Sequence, residues 1–264
     1  MRPGLSAPVI FSTGSLHPFG LERVFGWAAG AGFDGVEVMM DDRWDTHQPA
    51  YLSGLARRHG LPILALHPPI YHGAWRLGRE ETLVRSARLA RRISCPVVVA
   101  HPPPPGRPLR RWAAGALAAA RAEGVAVAVE NLPANAPGFF GVRRASCHLP
   151  EHLAGIGEVT LDTSHVGAGG VDLLDAREAL AGQLRHVHLS DSNLVVGKDE
   201  HRLPGKGRLP LKPFLAALAA GGYTGAVSLE LKPWPLGTPD PEVILERMRV
   251  ALEYTREGLR GTAS

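Results

Sequence analysis

Arg185-His186-Val187-His188-Leu189-Ser190-Asp191-Ser192-Asn193 is followed, eleven residues after His188, by Asp199-Glu200-His201. The first part alternates as a strand does, with Val187 and Leu189 on one face and His186, His188 and Ser190 on the other. The second part is a polar loop closed by Pro204-Gly205-Lys206-Gly207, a turn-rich sequence. Imidazoles at the end of a strand, with a carboxylate and another imidazole in the next loop, are a donor set for a metal ion. The fold follows from asking what else in the chain ends beside them.

Working outward, eight apolar stretches read as strands: 8–12, 35–40, 62–67, 97–101, 125–130, 159–162, 184–189 and 226–231. Helical patterns at 21–31, 48–59, 80–93, 109–123, 172–182, 210–220 and 241–256 alternate with them, and 138–154 reads as a loop and helix. Strands that are apolar on both faces belong to buried parallel sheets, and their crossovers are right-handed. Eight such units in 264 residues predict an α/β fold, a single-domain (β/α)8 TIM barrel over residues 1–264. An open doubly wound sheet would carry a Gly-rich phosphate loop after its first strand. Ser12-Thr13-Gly14-Ser15 is not one.

Composition narrows the class. Hydrophobic residues make up 45% of the chain, enough for one large core. No run of eighteen apolar residues offers a membrane span. The N-terminus lacks the basic and apolar regions of a secretion signal, and two cysteines make no disulfide framework, so a cytoplasmic location is expected. The net charge of +4 comes with only four lysines. Arg85, Arg88, Arg91 and Arg92 share one helix and read as a solvated face, not a nucleic-acid surface.

In a barrel of this kind the active site is built at the C-terminal strand ends. Those ends carry, in order, His67, His101, Glu130, Asp162 with His165, His188, then Asp199 and His201 in the following loop, and Glu230. Each residue alone has an ordinary structural explanation. Together, four carboxylates around one mouth repel one another and lose solvation, which a divalent cation relieves. One dication leaves the rim anionic, whereas three leave it cationic, as an anionic substrate such as a phosphate ester would require. Five imidazoles favour zinc, manganese or iron over magnesium or calcium. Trp44, Trp75, Phe139, Phe140 and Trp234 fall in loops at the same end, and Arg143, Arg144, Lys198, Arg202 and Lys206 offer charges for a phosphate.

With these residues in view, the chain resembles the xylose isomerase-like TIM barrels, also called AP endonuclease family 2, over nearly its whole length. That group contains sugar isomerases and epimerases as well as endonuclease IV. The set Glu130, Asp162, His188 and Glu230 is common to many members. The nine-residue set is similar to that with which endonuclease IV holds three zinc ions, and Asp199-Glu200-His201 with Gly205-Lys206-Gly207 resembles its D-x-H…G-x-G signature. The resemblance implies His67 and His101 at a first metal, with Glu130 bridging to a second completed by Asp162, His188 and Glu230. His165, Asp199 and His201 would hold a third. Up to three zinc ions, or manganese, are thus the expected cofactors. The expected activity is hydrolysis of a phosphate ester in a small phosphorylated substrate, or in abasic DNA, with Glu130 or Glu230 acting on a metal-bound water. DNA is the less favoured partner, because the lysine-poor surface offers no duplex footprint. The alternative is a sugar or sugar-phosphate isomerase or epimerase with Glu130 and Glu230 as its acid/base pair. Against an epimerase of the tagatose or psicose type, Asn193-Leu194-Val195 stands where an arginine is expected. Glu37, placed as in the sugar enzymes, is expected to meet substrate together with Trp44, Lys198 and Arg202. A third reading is a barrel that binds a ligand without catalysis.

Overall fold

The computed structural model describes residues 7–69, 74–138, 141–144 and 147–261. Phe139 and Phe140, expected at the rim, lie outside the described residues, as do the side chains of Arg143 and Arg144. Eight parallel strands close a barrel in sequential order: β1 (Val9–Ser12), β2 (Gly35–Met39), β3 (Ile63–His67), β4 (Val97–Ala100), β5 (Ala126–Glu130), β6 (Val159–Asp162), β7 (Leu184–Leu189) and β8 (Ala226–Leu229). Closure pairs β1 with β8, through Val9 with Val227 and Phe11 with Leu229. The (β/α)8 expectation is met, and a closed barrel leaves no sheet edge exposed.

Strand parity explains where the site lies. Outward residues such as Val36, Val38, Val98, Val127, Val129, Val187 and Val227 are buried beneath the helices in the main core. Inward residues fill the barrel in layers. Ile10, Ala65, Val97, Ala128 and Ala226 form an apolar cluster. Higher up, the inward positions turn polar. In the β6–β7 register Thr160 pairs with His186 and Asp162 with His188, so His186 sits one layer below His188.

Four local expectations change. Asn135–Gly138 and Gly141–Arg144 form two antiparallel strands, and among the described residues of this stretch only Pro150–Leu153 is helical, as a 3-10 turn. Pro137 is tolerated there because a two-stranded ribbon does not require a donor from every residue. The alanine-rich helix continues from Leu109 to Arg121 but carries a π-helical turn at Ala113–Leu117. Asp162 caps an additional short helix, Thr163–Gly169. The final helix runs three residues further, Pro241–Leu259. Gly258 permits that extension, since a Cβ there would meet Leu215 Cδ1 at 2.6 Å.

Candidate metal centre

All nine residues expected as ligands gather at the C-terminal mouth of the barrel. Glu130, at the end of β5, faces two histidines from the ends of β3 and β4. His101 Nε2 is 2.9 Å and His67 Nε2 3.5 Å from Glu130 Oε2. Its other oxygen lies 3.0 Å from His188 Nδ1 and 3.5 Å from His165 Nδ1. His188 Nδ1 also faces Glu230 Oε2 at 2.7 Å and Asp162 Oδ2 at 3.8 Å. Three overlapping donor groups result at the mouth: His67, His101 and Glu130; Glu130, Asp162, His188 and Glu230; and Asp162, His165 and His201. A fourth, Glu37, His186 and His188, lies beneath them. The first two match the expected sets. The third joins the two rings through Asp162, and the expected Asp199 stands with the same pair, 2.9 Å from His201 Nε2 and 3.7 Å from His165 Nε2.

The donor chemistry fits a metal. Backbone carbonyls can only accept hydrogen bonds, so they fix which imidazole nitrogen carries the proton. His67 Nδ1 donates to Pro68 O (2.7 Å), His165 Nδ1 to Asn131 O (2.8 Å) and His201 Nδ1 to Glu230 O (3.1 Å). His67 thus turns Nε2 toward Glu130, and His165 and His201 turn Nε2 toward Asp199, as carbonyl anchors behind metal-ligating histidines do. Glu130 Oε2 and Asp162 Oδ2 are buried and accept no hydrogen bond of good geometry, although His101 Nε2 is close to the first. Donor atoms that converge without satisfying one another are the expected pattern around a cation.

Local sequence explains the placement. Asp162 ends β6 and caps the next helix, its Oδ1 accepting from His165 N at 2.8 Å. Asn131 clamps the Asp162 backbone, accepting from its N–H at 2.7 Å and donating to its carbonyl at 3.1 Å. The Asp199–His201 segment is held by Ser164, whose hydroxyl donates to Asp199 Oδ1 (3.0 Å) and accepts from the amides of Glu200 and His201. Asp191 closes the base of that loop. Its carboxylate accepts from the amides of Ser192, Gly205, Gly207 and Leu209 at 2.8–3.1 Å. Gly207 is required there, because a Cβ would stand 2.4 Å from Asp191 Oδ1 and 2.6 Å from Ser192 O.

Electrostatics follows from this packing. Burial works against charge on every ligand, and the pairing overcomes it at most of them. Glu130 is held well below the usual carboxylate range by His188 and His101, and Glu230 is lowered by His188. At Asp162 burial prevails and raises the carboxyl. His188 is raised well above an ordinary imidazole by Glu230, Glu37 and Glu130, and His201 reaches about 10 through Asp162 and Asp199. His101 goes the other way, lowered by burial.

The residues expected at the substrate are placed less uniformly. Trp44 is 61% exposed in the loop after β2, and Trp234 is 65% exposed after β8. Lys198 is exposed. Arg202 turns its guanidinium to Lys206 O (2.9 Å) and Glu200 (3.6 Å), ordering its own loop instead of reaching the ligand cluster. Glu37 is fully buried, and its carboxylate reaches His186 and His188, so the expectation that it meets substrate is not met. One cation was missed by sequence reading. Lys232 donates to Asp199 O, lies 3.9 Å from Asp199 Oδ2, and packs 5.4 Å from the Trp234 ring centre. Its position two residues past Glu230 was the available signal. A cavity of about 560 Å3 opens beside His67 and His101, walled by Pro68, Pro102, Leu83 and Arg107 among others.

Relatives can be set beside this geometry. An uncharacterized protein of Mycobacterium tuberculosis (strain ATCC 25618 / H37Rv) is 33% identical over 257 residues, 88% of this chain and 90% of the relative. Fructoselysine 3-epimerase of Escherichia coli O157:H7 is 32% identical over 77 residues, 28% of this chain and 27% of its own. The solved structure of a D-tagatose 3-epimerase-like protein superposes with a TM-score of 0.72 at 21% identity, covering 97% of this chain and 100% of that one. At that identity the likeness speaks for the fold alone. No described helix is long and apolar enough to cross a membrane. Residues 25–254 match the family model of the xylose isomerase-like TIM barrel, and the chain belongs to that family.

Proposed function

We propose that the protein is a metal-dependent isomerase or epimerase acting on a small polyhydroxylated carbonyl compound. The observation that carries this is the pair Glu130 and Glu230. Both carboxylates approach one nitrogen, His188 Nδ1, at 3.0 and 2.7 Å, from β5 and from the end of β8. Asp162 completes the set at 3.8 Å. A divalent ion held by these four would polarise a bound carbonyl and acidify the neighbouring C–H. Glu130 and Glu230 then serve as base and acid, one taking the proton from carbon and the other returning one. Trp44 and Trp234 border the mouth as apolar surfaces for the sugar carbons, and Lys232 supplies a positive charge near them. The fructoselysine 3-epimerase relative supports this reading over the stretch it matches, and the phosphoesterase expectation gains no support from it. DNA and a phosphorylated substrate are likewise without support there.

The second reading, hydrolysis of a phosphate ester, retains one observation in its favour. His67 with His101, and His165 with His201, are donor groups that a one-ion isomerase leaves over. The two readings separate in heavy water. An isomerase or epimerase supplied with its ketose or aldose should place solvent deuterium on the carbon beside the carbonyl, and Glu230→Gln should lower that exchange by about 100-fold or more. Phosphate release from phosphorylated compounds, without deuterium exchange on any sugar in the panel, would favour the hydrolase instead.

A further inference from the structure

Below the ligand cluster lies a buried contact that the proposed chemistry does not use. Glu37 stands on β2, where the register against β3 shifts between Val36 and Glu37. Such an irregularity re-aims a side chain. From there the carboxylate crosses the barrel interior to β7. A single oxygen, Oε2, lies 2.7 Å from His186 Nε2 and 3.0 Å from His188 Nε2. All three side chains are fully buried, and Oε1 has no partner. The two rings stand nearly perpendicular, at 88°.

An ionised carboxylate only accepts, so both Nε2 atoms carry protons. For His188 this leaves Nδ1 as the donor atom toward Glu130, Asp162 and Glu230. A buried ionic contact is a costly way to fill a barrel. The layer of Ile10, Ala65, Val97, Ala128 and Ala226 shows that apolar residues pack this interior as well. The cost is offset if the contact orients a ligand, as carboxylates do behind metal-bound histidines.

We propose that Glu37 is the positioning residue of His188: it fixes the proton on Nε2 and turns Nδ1 to the metal, with His186 holding the same carboxylate oxygen in place. This rests on His188 being a metal ligand, and holds for an isomerase or a phosphoesterase alike. The test is zinc affinity, by competition with a chromophoric chelator, at the site that His188→Ala abolishes. Glu37→Ala should weaken that site by about 10- to 100-fold. Glu37→Gln should stay within a few-fold of wild type, because its amide oxygen can take both hydrogen bonds while its NH2 replaces the partnerless oxygen.

Histidine-labelled wild type loaded with zinc should show, by long-range 1H–15N correlation, the His188 proton on Nε2. That spectrum and the Gln variant decide the matter even if Glu37→Ala does not fold. A proton on Nδ1, unchanged affinity in Glu37→Ala, or equal loss in both variants would overturn the proposal. A wild type that takes up no zinc would instead overturn the functional reading beneath it.

Discussion

His201 adopts a backbone φ of 43°, which side chains other than glycine seldom tolerate. Ser164 accepts from its amide, and Asp199 and Asp162 receive its ring, so the conformation is fixed by polar contacts from two elements. Burial opposes a charge on this imidazole, but Asp162 and Asp199 outweigh it and hold the group up at about 10. His188 is raised in the same direction. A folded-state value above the unfolded one stabilises fully below about pH 6.5, and that stability is lost as pH rises toward 10. The metal-free protein should therefore melt at progressively lower temperature from pH 7 to pH 10. Metal uptake, which must displace those protons, should tighten over the same interval. Calorimetry with and without chelator at several pH values checks both signs.

At the scale of elements, the loop from Asp191 to Leu209 depends on one carboxylate serving four amides. Asp191→Ala should cost about 3 kcal/mol, since it strands several buried donors at once. Asp172→Ala removes only the cap of the helix Leu173–Leu180 and should cost about 1 kcal/mol. Chemical denaturation of the two variants compares them, and nearly equal losses would contradict the special role of Asp191. The sequence already showed this loop as a Gly-rich close, but not its partner, because Asp191 and Gly207 meet only after the chain turns back. The strand pair Asn135–Gly138 and Gly141–Arg144 was illegible for another reason: Pro137 and Gly138 are poor strand formers, and pairing with Val142 and Gly141 overrides their preference. By contrast, the barrel strands were readable because residues buried on both faces leave long apolar runs.

For the whole molecule, barrel closure is what brings ligands from β3 through β8 within reach of one another. Seven of the nine candidates sit at or just after a strand end, where parity aims a side chain inward, whereas Asp199 and His201 lie in the loop after β7 and were read from their D-x-H spacing. The Glu37–His186–His188 contact could not be read from the sequence, because it spans the barrel between residues about 150 apart in the chain. An ion bound by this many elements should stabilise the whole fold. At a free concentration of 100 times its dissociation constant the gain is about 2.7 kcal/mol, and excess chelator should remove it, visible as a lower Tm. The most direct test of the metal centre is the metal content of the purified chain, loaded with manganese or zinc and freed of excess ion. The account predicts at least one ion per wild-type chain and the loss of that ion in His188→Ala. A wild type that retains no stoichiometric metal, or a His188→Ala chain that keeps the full complement, would contradict it.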